Sequence, residues 1–357
     1  MRFRQLDRIV SIEPNKRITA RRSLSGDDHF FKDHFPKFPV LPGVMSLEMM
    51  FQASDWLVRS SDEFKCSIVF LKEVRNAKFS GFVRPGQELE ITAELKSEDG
   101  QECKLMTKVS VEGKTVASAR MLVEKNDLPT LAPARAPLDQ LLHQQKKIQY
   151  DLIRPDNPVT HPVEASHYRW MWIDRITEFT VGQTARAIKT VSMTDEPLDL
   201  YMPGYPVMPC SLILEGLAQT GGMLVNQLTD FQQQLVLAKI SKVNFHRAAV
   251  SGDTMKYSME ITDVAPDSYM VRGKSEIDGR PHADCELVFV NVQNQLDLGE
   301  LMSPQALLLM LRIYGLYDVG KHVDGTPLVP PQRLIEAENR YYSDQSMSVA
   351  EPATPRR

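Results

Sequence analysis

Two segments 167 residues apart share one unusual skeleton, and nothing else in the chain restricts its fold so tightly. The first, Asp33 to Gln52, reads DHFPKFPVLPGVMSLEMMFQ, and the second, Leu200 to Gln219, reads LYMPGYPVMPCSLILEGLAQ. Pro36, Phe38 and Pro39-Val40 fall on Pro203, Tyr205 and Pro206-Val207. Pro42, Leu47, Glu48 and Gln52 then fall on Pro209, Leu214, Glu215 and Gln219. The same offset carries FRQLDRI (from Phe3) onto WMWIDRI (from Trp170). After one residue is lost, Phe79, Gly86 and Gly113 match Phe245, Gly252 and Gly279 at an offset of 166. Similarity of this length means two copies of one folding unit.

Each copy predicts the same local structure. Pro42 and Pro209 suit the first turn of a helix, where a missing N–H is harmless. The segments that follow, GVMSLEMMFQASDWLV and SLILEGLAQTGGMLVNQL, are apolar on nearly every face and belong inside the unit. Beyond them, LEITAEL, TKVSVEGKTVASARMLVE and YMVRGKSEIDGRPHADCELVFVNV alternate with period two and break at E-G-K and D-G-R, as antiparallel hairpins do. The expected class is α+β, with a buried helix wrapped by an antiparallel sheet in each repeat.

These patterns divide the chain into a first repeat over 1–125, a linker over 126–160, a second repeat over 161–298 and a C-terminal extension over 299–342. The linker is rich in proline and polar residues and predicts one short helix around Leu138 to Lys147. SPQALLLMLRIYGLYDVGKHV reads as one added amphipathic helix, and 343–357 as a disordered tail. A net charge of −4 speaks against a general nucleic-acid partner. The four cysteines are scattered and give no metal framework, which fits a reducing compartment. No stretch approaches the run of about 18 apolar residues that a membrane span requires, and the N-terminus lacks a signal-peptide core, so a soluble cytoplasmic protein is expected.

Glu48 and Glu215 stand out because each interrupts a helix that is otherwise buried. A buried carboxylate costs several kcal/mol unless it is partnered or protonated. Each is therefore either structural, through the Gln four residues on, or an acid with a raised pKa. His34, fourteen residues before Glu48, carries the side chain most often used as a base at neutral pH. Gly43 opens the helix, and backbone N–H groups there favour developing negative charge. Together these residues suit removal of a proton beside a carbonyl with loss of a β-leaving group. The other histidines have no metal-ligand spacing, and Cys210 reads as a small residue in place of Gly rather than as a reactive thiol.

With LDRI, HFPKFPVLPGVMSLEMMFQ and KFSGFVRPGQELEI in place, the first copy resembles the β-hydroxyacyl-acyl-carrier-protein dehydratases over their whole length. The second copy is similar through WIDRI, YMPGYPVMPCSLILEGLAQTGG and KVNFHRAAVSGD, but lacks the His and the Gly. The resemblance implies a double hot-dog fold and dehydration of 3-hydroxyacyl thioesters, with no cofactor and no metal. It also implies sites shared between units, pairing His34 with Glu215 and with the backbone donor of Gly43. The opposite site would hold Tyr201, Glu48 and Cys210 and be degenerate. Members that also isomerise the double bond have Asp at the acid position, so Glu predicts plain dehydration. An acyl channel lined by Phe35, Phe38, Met45, Leu212 and Leu214 is expected, with Arg2, Arg4, Lys32, Lys37 and Arg84 facing an acidic carrier protein; coenzyme A is the other candidate carrier. A homo-oligomer of double hot-dog chains is compatible with this pattern. The alternatives are a non-catalytic acyl-binding scaffold and a hot-dog thioesterase.

Overall fold

The computed structural model describes residues 4–348 except 27, 29, 36–37, 132, 134–138, 156–169, 194, 196–197, 199–200, 203–204 and 294–300. The first repeat contributes β1 (Arg8–Glu13), β2 (Arg17–Ser23), a helical turn α1 (Phe30–Asp33) and the central helix α2 (Gly43–Ser61). It continues through β3 (Ile68–Phe79), β4 (Glu88–Asp99), β5 (Glu102–Val111) and β6 (Lys114–Asn126). A turn α3 (Leu128–Leu131) and the helix α4 (Asp139–Ile153) lead to the second repeat. There β7 (Arg175–Thr180) and β8 (Thr184–Thr190) precede the central helix α5 (Cys210–Asn226). Four strands follow, β9 (Leu235–Phe245), β10 (Thr254–Ala265), β11 (Ser268–Ile277) and β12 (Arg280–Asn291). The extension adds α6 (Pro304–Ile313), α7 (Leu316–Val319), a two-residue β13 (Gly320–Lys321) and α8 (Gln332–Ser348).

The strands form one sheet in the order β1-β2-β4-β5-β6-β3-β9-β12-β11-β10-β8-β7-β13. The repeats meet where β3 pairs antiparallel with β9, Glu73 opposite Asn244 and Lys78 opposite Lys239. Those two pairs exchange under the offset of 166, so a pseudo-twofold axis runs through this seam. The hairpins between β5 and β6 and between β11 and β12 turn at Glu112-Gly113 and Asp278-Gly279, all four at positive φ. That twist matches the flanking strands, and glycine takes it without steric penalty.

Both central helices are buried along nearly their whole length, because the sheet curls around them. The repeats reach the same packing by exchanging bulk between helix and sheet. Gly216 accommodates the Tyr257 ring, which a Cβ there would meet at 2.6 Å, whereas the corresponding pair in the first repeat is Met49 and Ile91. Gly221 likewise makes room for Met259, where the first repeat has Ser54 and Ala93.

The duplication reaches past the sheet: QYDL at 149–152 and LYDV at 316–319 keep the offset of 167. The linker helix runs over Asp139–Ile153, further than the short segment expected. The expected single helix of the extension is interrupted, because Gly315 adopts φ +68 between α6 and α7. Helix α8 continues to Ser348, past the point at Ser343 where the disordered tail was expected to begin; 349–357 lie outside the described residues. No helix among the described residues is long and apolar enough to cross a membrane.

Candidate active site

Glu215 lies in the second turn of α5 and is 6% exposed. Its Oε1 accepts hydrogen bonds from Trp170 Nε1 at 2.9 Å and from Gln219 Nε2 at 3.0 Å. Gln219 is fixed in turn by the Trp172 N–H, which donates to its Oε1 at 3.0 Å. Among the described residues nothing donates to Glu215 Oε2. Burial pushes the carboxyl up to about 7, although the bonds from Gln219 and Trp170 oppose that shift.

His34 follows α1, and its backbone N–H donates to Phe30 O at 2.9 Å. Its ring centroid lies 4.1 Å from that of Phe35 and 6.4 Å from the Trp170 indole. Burial pushes the imidazole down to about 4, against a weaker opposite pull from the Val40 backbone, and Nδ1 is buried outside hydrogen-bond geometry. The ring is therefore neutral near pH 7 and able to accept a proton.

Pro42, expected inside the first turn, instead caps α2 with an extended backbone and offers no side-chain bond. The N–H groups that open the helix at Gly43 and Val44 are thus left to other acceptors. A Cβ on Gly43 would stand 3.2 Å from the Phe79 ring, so the glycine allows a close approach there.

His34, Gly43, Trp170 and Glu215 all line one cavity of about 950 Å³. From Glu215 it follows one face of α5 past Ala218, Gly222 and Asn226, with Phe79, Phe82, Leu235, Phe289, Leu307 and Met310 among its other walls. The arrangement offers a neutral imidazole, a carboxyl that holds its proton near neutrality, and a helix N-terminus, all on the wall of one largely apolar space.

The pseudo-symmetric position is built differently. Gln5 N–H donates to Gln52 Oε1 and Gln52 Nε2 to Glu48 Oε1, both at 2.8 Å, which repeats the clamp on Glu215. However, Ser211 Oγ donates to Glu48 Oε2 at 2.7 Å, so both oxygens are occupied. Ser211 is the counterpart of Val44, which cannot donate from its side chain. Tyr201 and Cys210 are buried nearby, and burial raises both well above their ordinary values. None of Glu48, Tyr201 and Cys210 lines the cavity.

The expected channel residues divide. Phe35 is a wall of the cavity, and Phe38 packs behind it in a small cluster with Val40 and Leu301. Met45, Leu212 and Leu214 belong to the main core and not to the cavity wall, which corrects the expectation. Successive helical side chains diverge by roughly 100°, so Leu214 faces away from Glu215, and Met45 away from Val44 and Ser46. Of the basic residues, Arg84 is exposed beside the cavity and stacks on Phe38 at 4.8 Å, and Arg4 is partly buried. Arg2, Lys37 and the side chain of Lys32 lie outside the described residues. Sequence reasoning missed Trp170, Ser211 and the α5 face. Comparing the repeats residue by residue (Val44 with Ser211, Asp55 with Gly222) was the available signal.

The FabA-like domain family matches the chain twice, over residues 1–120 and 165–289. The 3-hydroxyacyl-[acyl-carrier-protein] dehydratase FabZ of Listeria welshimeri is 33% identical over 127 residues, covering 36% of this chain and 88% of that protein. Among solved structures, a hot dog fold protein of unknown function from Alicyclobacillus acidocaldarius aligns with TM-score 0.49 at 10% identity, over 82% of this chain and 98% of its own. A putative oleoyl thioesterase from Lactobacillus plantarum aligns with TM-score 0.49 at 10% identity, over 77% of this chain and 96% of its own. Alignments this loose do not bear on activity. The two family matches cover both repeats around the shared cavity, and the chain belongs to the FabA-like domain family.

Proposed function

We propose that the protein is a hydro-lyase that dehydrates 3-hydroxyacyl thioesters to trans-2-enoyl thioesters; its FabZ relatives are named 3-hydroxyacyl-[acyl-carrier-protein] dehydratases. The observation that carries this reading is the convergence of His34 and Gly43 from the first repeat with Glu215 from the second on one apolar cavity. Neutral His34 removes the proton α to the thioester, and the electron pair moves toward the carbonyl. The N–H at Gly43 stabilises the resulting enolate character. Protonated Glu215 gives its proton to the departing 3-hydroxyl, which leaves as water, and the acid and base are then reset through solvent. Each acid–base role is worth about 10²–10⁴ in rate. The site opposite, around Tyr201 and Glu48, is proposed to be inactive, because a phenol held above its usual pKa does not serve as a base near pH 7. An acyl carrier protein is the proposed donor of substrate, with exposed Arg84 on its docking side; coenzyme A thioesters present the same reacting atoms.

The test follows enoyl absorbance with a 3-hydroxyacyl thioester on carrier protein or coenzyme A. His34→Ala should lower the rate at least 10²-fold. Glu215→Gln should do the same while Glu48→Gln keeps most activity. The reverse ranking of the two glutamates would show the cross-repeat pairing to be wrong. Release of free thiol in place of enoyl product would convert the assignment to a thioesterase.

A further inference from the structure

The two central helices present equivalent faces to very different surroundings. On α5 the face that begins at Glu215 continues through Ala218, Gly222 and Asn226 and borders the cavity. On α2 the equivalent positions are Glu48, Phe51, Asp55 and Arg59. There the space is filled. Asp55 Oδ1 accepts from Arg59 Nε at 2.7 Å, and Lys146 Nζ, brought in by α4, reaches Asp55 Oδ2 at 3.4 Å. Arg59 also donates to Cys66 O at 2.8 Å and to Ser67 O at 3.1 Å, while Tyr150 packs on Trp56 at 5.8 Å. The linker helix therefore closes on the first repeat the path that stays open on the second.

Gly222 is the sharpest difference. Glycine inside a helix is destabilising relative to alanine. Gly216 and Gly221 have a packing reason for it, since a Cβ would collide at 2.6 and 2.9 Å with Tyr257 and Met259. At Gly222 the nearest atom to a Cβ is 3.5 Å away, on the Phe289 ring, which is itself a cavity wall. Packing does not demand the missing side chain at Gly222; an open channel does.

We propose that Gly222, with Ala218 and Asn226, sets the length of acyl chain the cavity accepts, and that the substrates are medium- to long-chain thioesters lying along this face of α5. The inference rests on the function proposed above. Gly222 stands seven residues beyond Glu215, or about 10 Å along the helix axis, so a short acyl group ends before reaching it and a long one must pass it.

The test compares wild type, Gly222→Ala and Gly222→Leu on 3-hydroxybutyryl and 3-hydroxyhexadecanoyl thioesters. Both variants should fold, since the first Cβ fits and the helix gains intrinsic propensity. Gly222→Leu should lose at least about tenfold in kcat/KM on the long substrate and change less than about twofold on the short one, in line with one misfitted apolar group. Calorimetric binding of hexadecenoyl and crotonyl pantetheine thioesters to the same proteins should show the same selective loss. An unchanged chain-length profile, or equal losses at both lengths, overturns the inference. If wild type turns over neither substrate, the dehydratase reading fails, while the binding measurement still decides whether Gly222 gates long chains.

Discussion

At the residue scale, the two glutamates differ in the donors that reach them: the Trp170 indole at Glu215 Oε1, the Ser211 hydroxyl at Glu48 Oε2. Both are clamped at Oε1 by the Gln one turn later, and among the described residues a hydroxyl reaches Glu48 alone, from Ser211. Val44→Ser should give Glu215 the donor that Glu48 already has. A hydrogen bond to the charged form is worth about 1.5–3 kcal/mol, so the acid should become about one to two pK units stronger. The alkaline limb of the pH–rate profile should shift down accordingly, and a limb that stays in place would refute this account. In the wild type, kcat/KM should rise through about pH 4 as His34 loses its proton and fall through about pH 7 as Glu215 loses its own. Stability should respond as well. The folded pKa of Glu215 lies above its ordinary 4.5, so the folded state holds the proton more tightly, and stability drains away as pH rises from 4.5 through about 7. Glu215→Gln should escape that loss. Its melting temperature relative to wild type should be higher at pH 8 than at pH 5, by an amount equivalent to about 3 kcal/mol at most.

At the element scale, the central helices and hairpins were legible in the sequence, because apolar saturation and period-two alternation are local signals. His34, Gly43 and the two glutamates were legible for a related reason: each is the wrong kind of residue for its neighbourhood. What α4 and α6 do was not legible. Both follow a sheet at the same place in the repeat, yet one fills the face of a central helix and the other helps to wall a cavity. That outcome depends on Asp55, Trp56 and Lys146 meeting across 91 residues of chain, which no local pattern encodes. The Met45 and Leu214 expectations failed because sequence spacing does not say which side of a fully buried helix faces a void. The α4 arrangement has its own prediction. Asp55→Ala leaves Lys146 and Arg59 buried without their carboxylate, so it should cost about 3–5 kcal/mol in chemical denaturation. Dehydration at a permissive temperature should be retained, because Asp55 is not part of the cavity wall.

At the scale of the whole molecule, the seam between β3 and β9 makes the repeats one continuous sheet with a broken symmetry. The proposed degenerate side has lost more than its histidine. Tyr201→His with Cys210→Gly, placed in a His34→Ala background, should stay inactive, because Ser211 still holds Glu48 and Phe51, Asp55 and Lys146 still fill the path beyond it. Activity in that triple variant would show that the filled face is no obstacle.

The tether itself has a genetic consequence. When two identical subunits share two sites, every substitution is written into both at once, and a change that ruins one site ruins the other. Joined in one chain, the repeats mutate separately. One helix could take on charges and a plug that make it a better structural wall, while the other kept a costly glycine for the sake of its cargo. The offset of 167 residues thus separates two sets of constraints as well as two copies of a fold.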